Sequence, residues 1–207
     1  TDSTFIDLYM KSGMYITEIV KKLFHNTRKH YKSDEDCLKH ILENQVYGLA
    51  PTPILQGITQ SYIFGFDVEN KISRNNFVQH DITPEAKEGK AKEKVQELFN
   101  LKENMKFDAV VGNPPYNETV EKTESQSQAN SKWVYYLFQN TADVIGKKSS
   151  LVYPFGGWFD DNETFQGFGK RILSDGHTVS INAFEGTTDK RAWYRNDINP
   201  SPIFGDG

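Results

Sequence analysis

Phe107-Asp-Ala-Val-Val-Gly-Asn-Pro-Pro-Tyr116 is the stretch on which the reading of this chain turns. Phe107 to Val111 form an apolar, β-branched run of the kind that fills a parallel-sheet strand buried on both faces. Gly112 lets the backbone leave the sheet closely, and Pro114 and Pro115 then fix φ and remove two backbone donors. Asn113 precedes a proline and is therefore held extended. The expected product is a strand whose carboxyl end presents an amide side chain, backbone carbonyls and an aromatic ring together. That is the edge at which open α/β sheets bind ligands.

Such a corner suits one chemical task. The exocyclic amine of a nucleobase is a poor nucleophile, because its lone pair is delocalised into the ring. Accepting hydrogen bonds from both of its N–H groups, through the Asn113 amide oxygen and the Pro114 carbonyl, favours the positive charge that builds during attack. This is oxyanion-hole logic with the sign reversed. Tyr116 supplies a ring on which a base outside its helix can stack.

On these residues the chain resembles the amino-methyltransferases that use S-adenosylmethionine (SAM), especially the DNA adenine-N6 methyltransferases of bacterial restriction-modification systems. The resemblance implies a Rossmann-like, doubly wound α/β fold with a mostly parallel sheet. It also implies that Asn113, Pro114, Pro115 and Tyr116 hold the flipped target base. The same tetrapeptide serves RNA adenine and protein glutamine methyltransferases, and a degenerate module of this fold with a structural or DNA-specificity role is a further alternative.

Toward the amino terminus, Ser3 to Gly13 reads as a short strand and a loop with a small-residue end, leading into a helix. That helix carries Ile16, Ile19, Val20, Leu23 and Phe24 at helical spacing. Strand, loop and helix N-terminus form a nucleotide-type site with backbone N–H groups facing the ligand. The family's Asp-Pro-x-x-Gly-Ser-Gly is matched at Asp7, Ser12 and Gly13, with Leu8 at the proline and Lys11 at the first glycine. The resemblance implies that Asp7 and the loop through Lys11, Ser12 and Gly13 hold the methionine part of SAM.

Ser33-Asp-Glu-Asp36 reads as a helix start, and Gln45 to Leu49 as the next strand. The family ends this strand in a ribose-binding acid, whereas here Ala50-Pro51-Thr52 follows. Pro51 opens a helix whose buried face is expected to be Ile54, Leu55, Ile58, Tyr62 and Ile63. Asn76 to Ile82 reads as a third strand, with Asp81 at the position that the resemblance assigns to the adenine amine of SAM. A single charged helix is expected from Glu85 to Asn100, with a thin stripe of Val95, Leu98, Phe99 and Leu101.

After Tyr116, the polar run from Asn117 to Lys132 is expected to be a mobile loop and a candidate lid or DNA contact. A helix follows over Trp133 to Ile145, then a strand over Ser149 to Pro154 and a turn over Phe155 to Phe159. Phe165 to Leu173 reads as a short helix and Thr178 to Phe184 as a strand, with Trp193-Tyr194 in a late loop. Asp160-Asp161 reads as a solvent-facing pair rather than a metal site.

The chain has 207 residues, 37% hydrophobic and 25% charged, with a net charge of −4. That is an ordinary globular profile and enough length for one core. A single cysteine, Cys37, excludes an intrachain disulfide and suits a reducing cytoplasm. No Cys/His spacing resembles a metal site, and no apolar run is long enough to span a membrane. The acidic balance suits duplex DNA poorly. The expected partner is therefore DNA held with the help of a recognition domain or subunit outside this chain. The whole stretch reads as one catalytic domain, 1–207, cut at both ends.

Overall fold

The computed structural model describes residues 2–119, 131–153, 168–178 and 180. The chain divides into two compact units, Thr1–Tyr153 and Pro154–Gly207.

The first unit is built on a five-stranded sheet. Its strands are β1 (Phe5–Asp7), β2 (Val46–Ala50), β3 (Phe77–Gln79), β4 (Ala109–Gly112) and, after a hairpin, β7 (Ser149–Leu151). Their order is β3-β2-β1-β4-β7, and every pairing is parallel. The chain thus builds outward from β1 to β3, then returns to lay β4 on the other side of β1. That reversal places a switch point between β1 and β4.

Period-two alternation sends each strand's side chains to opposite layers. Phe5, Val46, Ala50 and Phe77 face one core, which also holds Ile16, Val20, Cys37, Ile41 and Ile63. These come from α1 (Met14–Thr27), α2 (Asp34–Asn44) and α3 (Pro53–Phe64). Ile6, Leu49 and Val110 face the second core, with Ala91 and Val95 of α5 (Ala91–Phe99) and Phe138, Ala142 and Ile145 of α6 (Tyr135–Ile145). Both faces are covered, which is why the strands read as nearly continuous apolar runs. Each fully buried Ile, Leu or Phe contributes about 1.5–3 kcal/mol. Ser33 caps α2 by accepting from the Asp36 N–H at 3.0 Å, and Thr52 caps α3 by accepting from the Leu55 N–H at 3.2 Å.

Several expectations need correction. Ile54, Ile58 and Tyr62 are 76%, 48% and 54% exposed, whereas Ile63 is buried as expected and Leu55 packs partly against the first core, beside buried Thr59 and Phe64. This helix carries apolar residues on two sides, and periodicity alone merged them. The charged segment is two helices, α4 (Thr83–Glu88) and α5, separated where Gly89 closes α4. The ends of the polar run after Tyr116 are strands. β5 (Asn117–Thr119) pairs antiparallel with β6 (Ser131–Trp133), and residues 120–130 between them lie outside the described set. Trp133 therefore belongs to β6, and α6 starts at Tyr135. The hairpin is rooted at the site corner, where the Val134 N–H donates to the Tyr116 carbonyl at 2.9 Å.

In the second unit, α7 (Phe168–Ser174) buries Phe168 and Ile172. Thr178 and Ser180 are not in a strand, and the remainder of the strand expected there lies outside the described residues. Pro154, Phe155 to Phe159, Asp160-Asp161 and Trp193-Tyr194 also lie outside them. Among the described residues no helix is long and apolar enough to cross a membrane, and no group of three His, Cys, Asp or Glu is placed to hold a metal ion.

Candidate active site at the sheet switch point

Asp7 ends β1 and Gly112 ends β4, side by side at the switch point. A Cβ added at Gly112 would stand 2.7 Å from the Asp7 Oδ1, and the Gly112 φ is 151°. Only glycine lets β4 pass this carboxylate. Asp7 is 3% exposed and accepts a hydrogen bond from the Tyr9 N–H at 2.9 Å. Burial pushes its carboxyl up to about 7, opposed by that N–H and by the nearby Lys11 charge.

From Asp7 the chain climbs through a loop pinned at two points. The Met10 N–H donates to the Leu49 carbonyl at 2.8 Å, and the Thr59 hydroxyl donates to the Lys11 carbonyl at 3.3 Å. Gly13 then turns into α1 with φ 82°, where a Cβ would stand 3.0 Å from the Thr59 Cγ2. No side chain caps α1, so its first N–H groups have no side-chain acceptor and stand at the positive end of the helix dipole.

The residues after β4 fold over the same crevice. Pro114 is buried and lines it with Asp7, Tyr9, Gly112 and Phe138, around a cavity of about 10 Å³. The Asn113 Oδ1 is buried and has no hydrogen-bond partner among the described residues. Leaving a buried acceptor unmatched costs about 1–3 kcal/mol. Native proteins rarely tolerate this without a functional reason. The Lys11 ammonium lies over the Tyr116 ring, 5.9 Å from its centroid. Crowding holds that ammonium below the usual lysine range, with the Asp7 carboxylate pulling the other way.

The sequence-derived candidates divide into two groups. Asp7 and Pro114 line the β1/β4 crevice, Asn113 follows directly after β4, and Lys11 meets Tyr116, while Gly13 packs toward Thr59 and Ile63 of α3 and Ser12 is exposed on the loop. Ala50 is fully buried at the end of β2, with its carbonyl accepting from the His80 N–H at 2.8 Å. No carboxylate occupies that strand end. Asp81 is exposed two residues beyond β3, accepting from the Thr83 N–H at 3.0 Å. It touches the site only electrostatically, through Tyr9, whose hydroxyl is pushed up by burial and by the Asp81 charge.

Two tyrosines were missed by sequence reasoning. The Tyr15 hydroxyl is buried without a partner among the described residues, and its phenol is pushed far above the usual range by burial, with Asp7 and Tyr116 adding to the shift. Tyr9 packs edge-on against Phe138 at 5.8 Å. Position was the available signal. Tyr9 follows the strand-end acid by two residues, and Tyr15 is the second residue of α1.

A doubly wound α/β domain with a helix-entry loop at its switch point is the class of protein that this fold and crevice define. The chain belongs to the Eco57I restriction-modification methylase family, whose sequence model matches residues 44–189. The matched span starts beyond β1 and the loop to Gly13. Among solved structures, the chain is similar to one of a type I restriction-modification system, at 15% identity and a TM-score of 0.51, covering 82% of this chain and 31% of that one. It is also similar to a modification subunit of a putative type I restriction enzyme from Vibrio vulnificus YJ016, at 14% identity and TM-score 0.48, covering 83% and 34%. A third is the DNA-bound, ATP-dependent type ISP restriction-modification enzyme LlaBIII, at 13% identity and TM-score 0.43, covering 66% and 10%. The first of these likenesses shows the fold. The chain spans about a third or less of the length of these proteins. No curated protein sequence matches it.

Proposed function

We propose that this domain transfers a methyl group from SAM to the exocyclic N6 of adenine in DNA, as the modification part of a restriction-modification system. The observation that carries the reading is the buried, unpartnered Asn113 Oδ1 at the carboxyl end of β4. It is a buried acceptor directly after β4 with no donor among the described residues.

The residues fit the methionine end of the cofactor. The uncapped α1 N-terminus attracts its carboxylate, and Gly13 in the left-handed region allows close backbone approach. Asp7, Lys11 and Ser12 complete that half. Asp81 is the candidate for the adenine amine, and β2 offers the ribose no carboxylate at Ala50. Bound SAM supplies an electrophilic methyl group. Asn113 and Pro114 accept the two N–H bonds of the target amine, Pro115 keeps the corner rigid, and Tyr116 stacks on the base. These contacts strengthen as positive charge develops on nitrogen, which is how they accelerate transfer. The methylated nitrogen then sheds its proton readily, so no strong general base is required. DNA is held with a recognition domain or subunit, consistent with the net charge of −4.

A non-catalytic module of the same fold is the second reading, favoured by Ala50 at the ribose position. Labelled methyl transfer to DNA, RNA and protein, run in parallel with the full-length protein and its Asn113→Ala variant, separates the possibilities. The wild type labels DNA, and the variant is slower by about 10²–10³ with unchanged circular dichroism. Labelling of RNA or protein alone overturns the substrate, full activity in the variant overturns the site, and failure to bind SAM supports the second reading.

A further inference from the structure

Lys11 stands where the resembling enzymes have a glycine, and the structure shows where the extra side chain goes. Its carbonyl is clamped to α3 through Thr59, while its ammonium reaches across the crevice to the Tyr116 ring, 5.9 Å from the centroid. One residue therefore bridges the loop proposed for the cofactor and the ring proposed for the base. The arrangement has two consequences. A cation over that ring occupies a face on which a base would stack. A fixed positive charge there also opposes the charge that grows on the target nitrogen, unless an anion neutralises it.

The anion chemistry of the crevice is asymmetric. Asp7 is the carboxylate whose field reaches Lys11. It is nearly sealed at the foot of the loop, and its Oδ1 already accepts from the Tyr9 N–H. The uncapped start of α1, two residues beyond Lys11, is the place in this loop suited to an incoming carboxylate. We propose that Lys11 is a positioning residue that couples the two halves of the site: it pairs with the amino-acid carboxylate of the cofactor and in doing so leaves the Tyr116 ring, opening that face to the target base. Cofactor and base then bind with positive cooperativity, and each strengthens the other by the same factor. The proposal rests on the methyltransferase reading above.

Calorimetry with two probes tests it in the full chain. S-adenosylhomocysteine carries the amino-acid carboxylate, and 5′-methylthioadenosine lacks it. Wild type is expected to prefer the former by about tenfold or more, as a charge-assisted contact requires. Lys11→Met brings the two ligands within roughly threefold while its affinity for 5′-methylthioadenosine is unchanged, which also shows that the variant is folded. Lys11→Arg retains the preference. S-adenosylhomocysteine tightens binding of single-stranded oligodeoxyadenylate to wild type and has no such effect on Lys11→Met. Undiminished preference in Lys11→Met overturns the proposal. So does a variant that loses oligodeoxyadenylate affinity with its preference intact, because Lys11 would then be meeting phosphate. If wild type binds neither nucleoside, the methyltransferase reading itself fails and the Lys11 assignment with it.

Discussion

Replacing Asp7 by Asn tests the electrostatics of the switch point without touching the shape of the core. The carboxyl is 3% exposed and its pKa is pushed from an ordinary 3.8 up to about 7 by burial. The sign follows from which state holds the proton. Below pH 3.8 both folded and unfolded chains are protonated, and Asp7 adds no pH dependence. Between 3.8 and about 7 the folded state alone retains the proton, so stability falls as pH rises, and above 7 the loss levels off. At ~1.4 kcal/mol for each unit of displacement, wild type loses about 3 kcal/mol from this one group between pH 5 and pH 8. Asn keeps the acceptor for the Tyr9 N–H and has no charge to bury.

The assay is urea unfolding of wild type and Asp7→Asn at pH 5, 6, 7 and 8. The variant should already be the more stable at pH 5, and its margin should grow by about 3 kcal/mol by pH 8, or roughly 1–2 M in midpoint at an m-value of about 2 kcal/mol/M. Groups elsewhere, such as Asp108 with its carboxyl lowered by the Lys147 hydrogen bond, titrate alike in both proteins and cancel. Curves that stay parallel from pH 5 to 8 would refute the reasoning, because they would mean that Asp7 ionises as if exposed.

Three further predictions concern the same crevice. Gly112→Ala places a methyl 2.7 Å from the Asp7 Oδ1 at φ 151° and should cost about 1–3 kcal/mol, read as a lowered urea midpoint. Tyr116→Ala should weaken binding of single-stranded oligodeoxyadenylate by about 1–3 kcal/mol, with Tyr116→Phe close to wild type, because stacking needs the ring and not the hydroxyl. Affinity for SAM, measured by calorimetry, should fall as pH drops below about 7, because Asp7 must ionise to meet the cationic methionine end. Asp7→Asn should show a weaker but flat profile over the same range.

The strand–helix alternation and the Asn113–Tyr116 corner were legible in the chain itself, because each depends on short-range chemistry. An apolar run reads as a buried strand, and two prolines after Gly112 make a rigid exit wherever they occur. The loop from Asp7 to Gly13 was legible as a helix-entry loop for the same reason. Readings failed where the deciding partner was distant or the signal was short. The buried side of α3 depends on where β2 and β3 lie, so Ile54, Ile58 and Tyr62 could not be placed from spacing. β5 and β6 are three polar-rich residues each, too few for period-two alternation to register, and they exist through pairing with each other.

What the sequence by itself determined is the kind of corner at Asn113 and the kind of loop at Lys11, since backbone restrictions at proline and glycine are local. Only the tertiary structure brought these two together. Parallel pairing of β1 with β4 brings Asp7 against Gly112 and carries the Lys11 ammonium to the Tyr116 ring. Burial at that junction then turns an unremarkable aspartate into one that titrates near neutrality and leaves the Asn113 oxygen without a partner among the described residues. Desolvation and unmet hydrogen bonds are properties of packing, and no residue carries them before the chain folds.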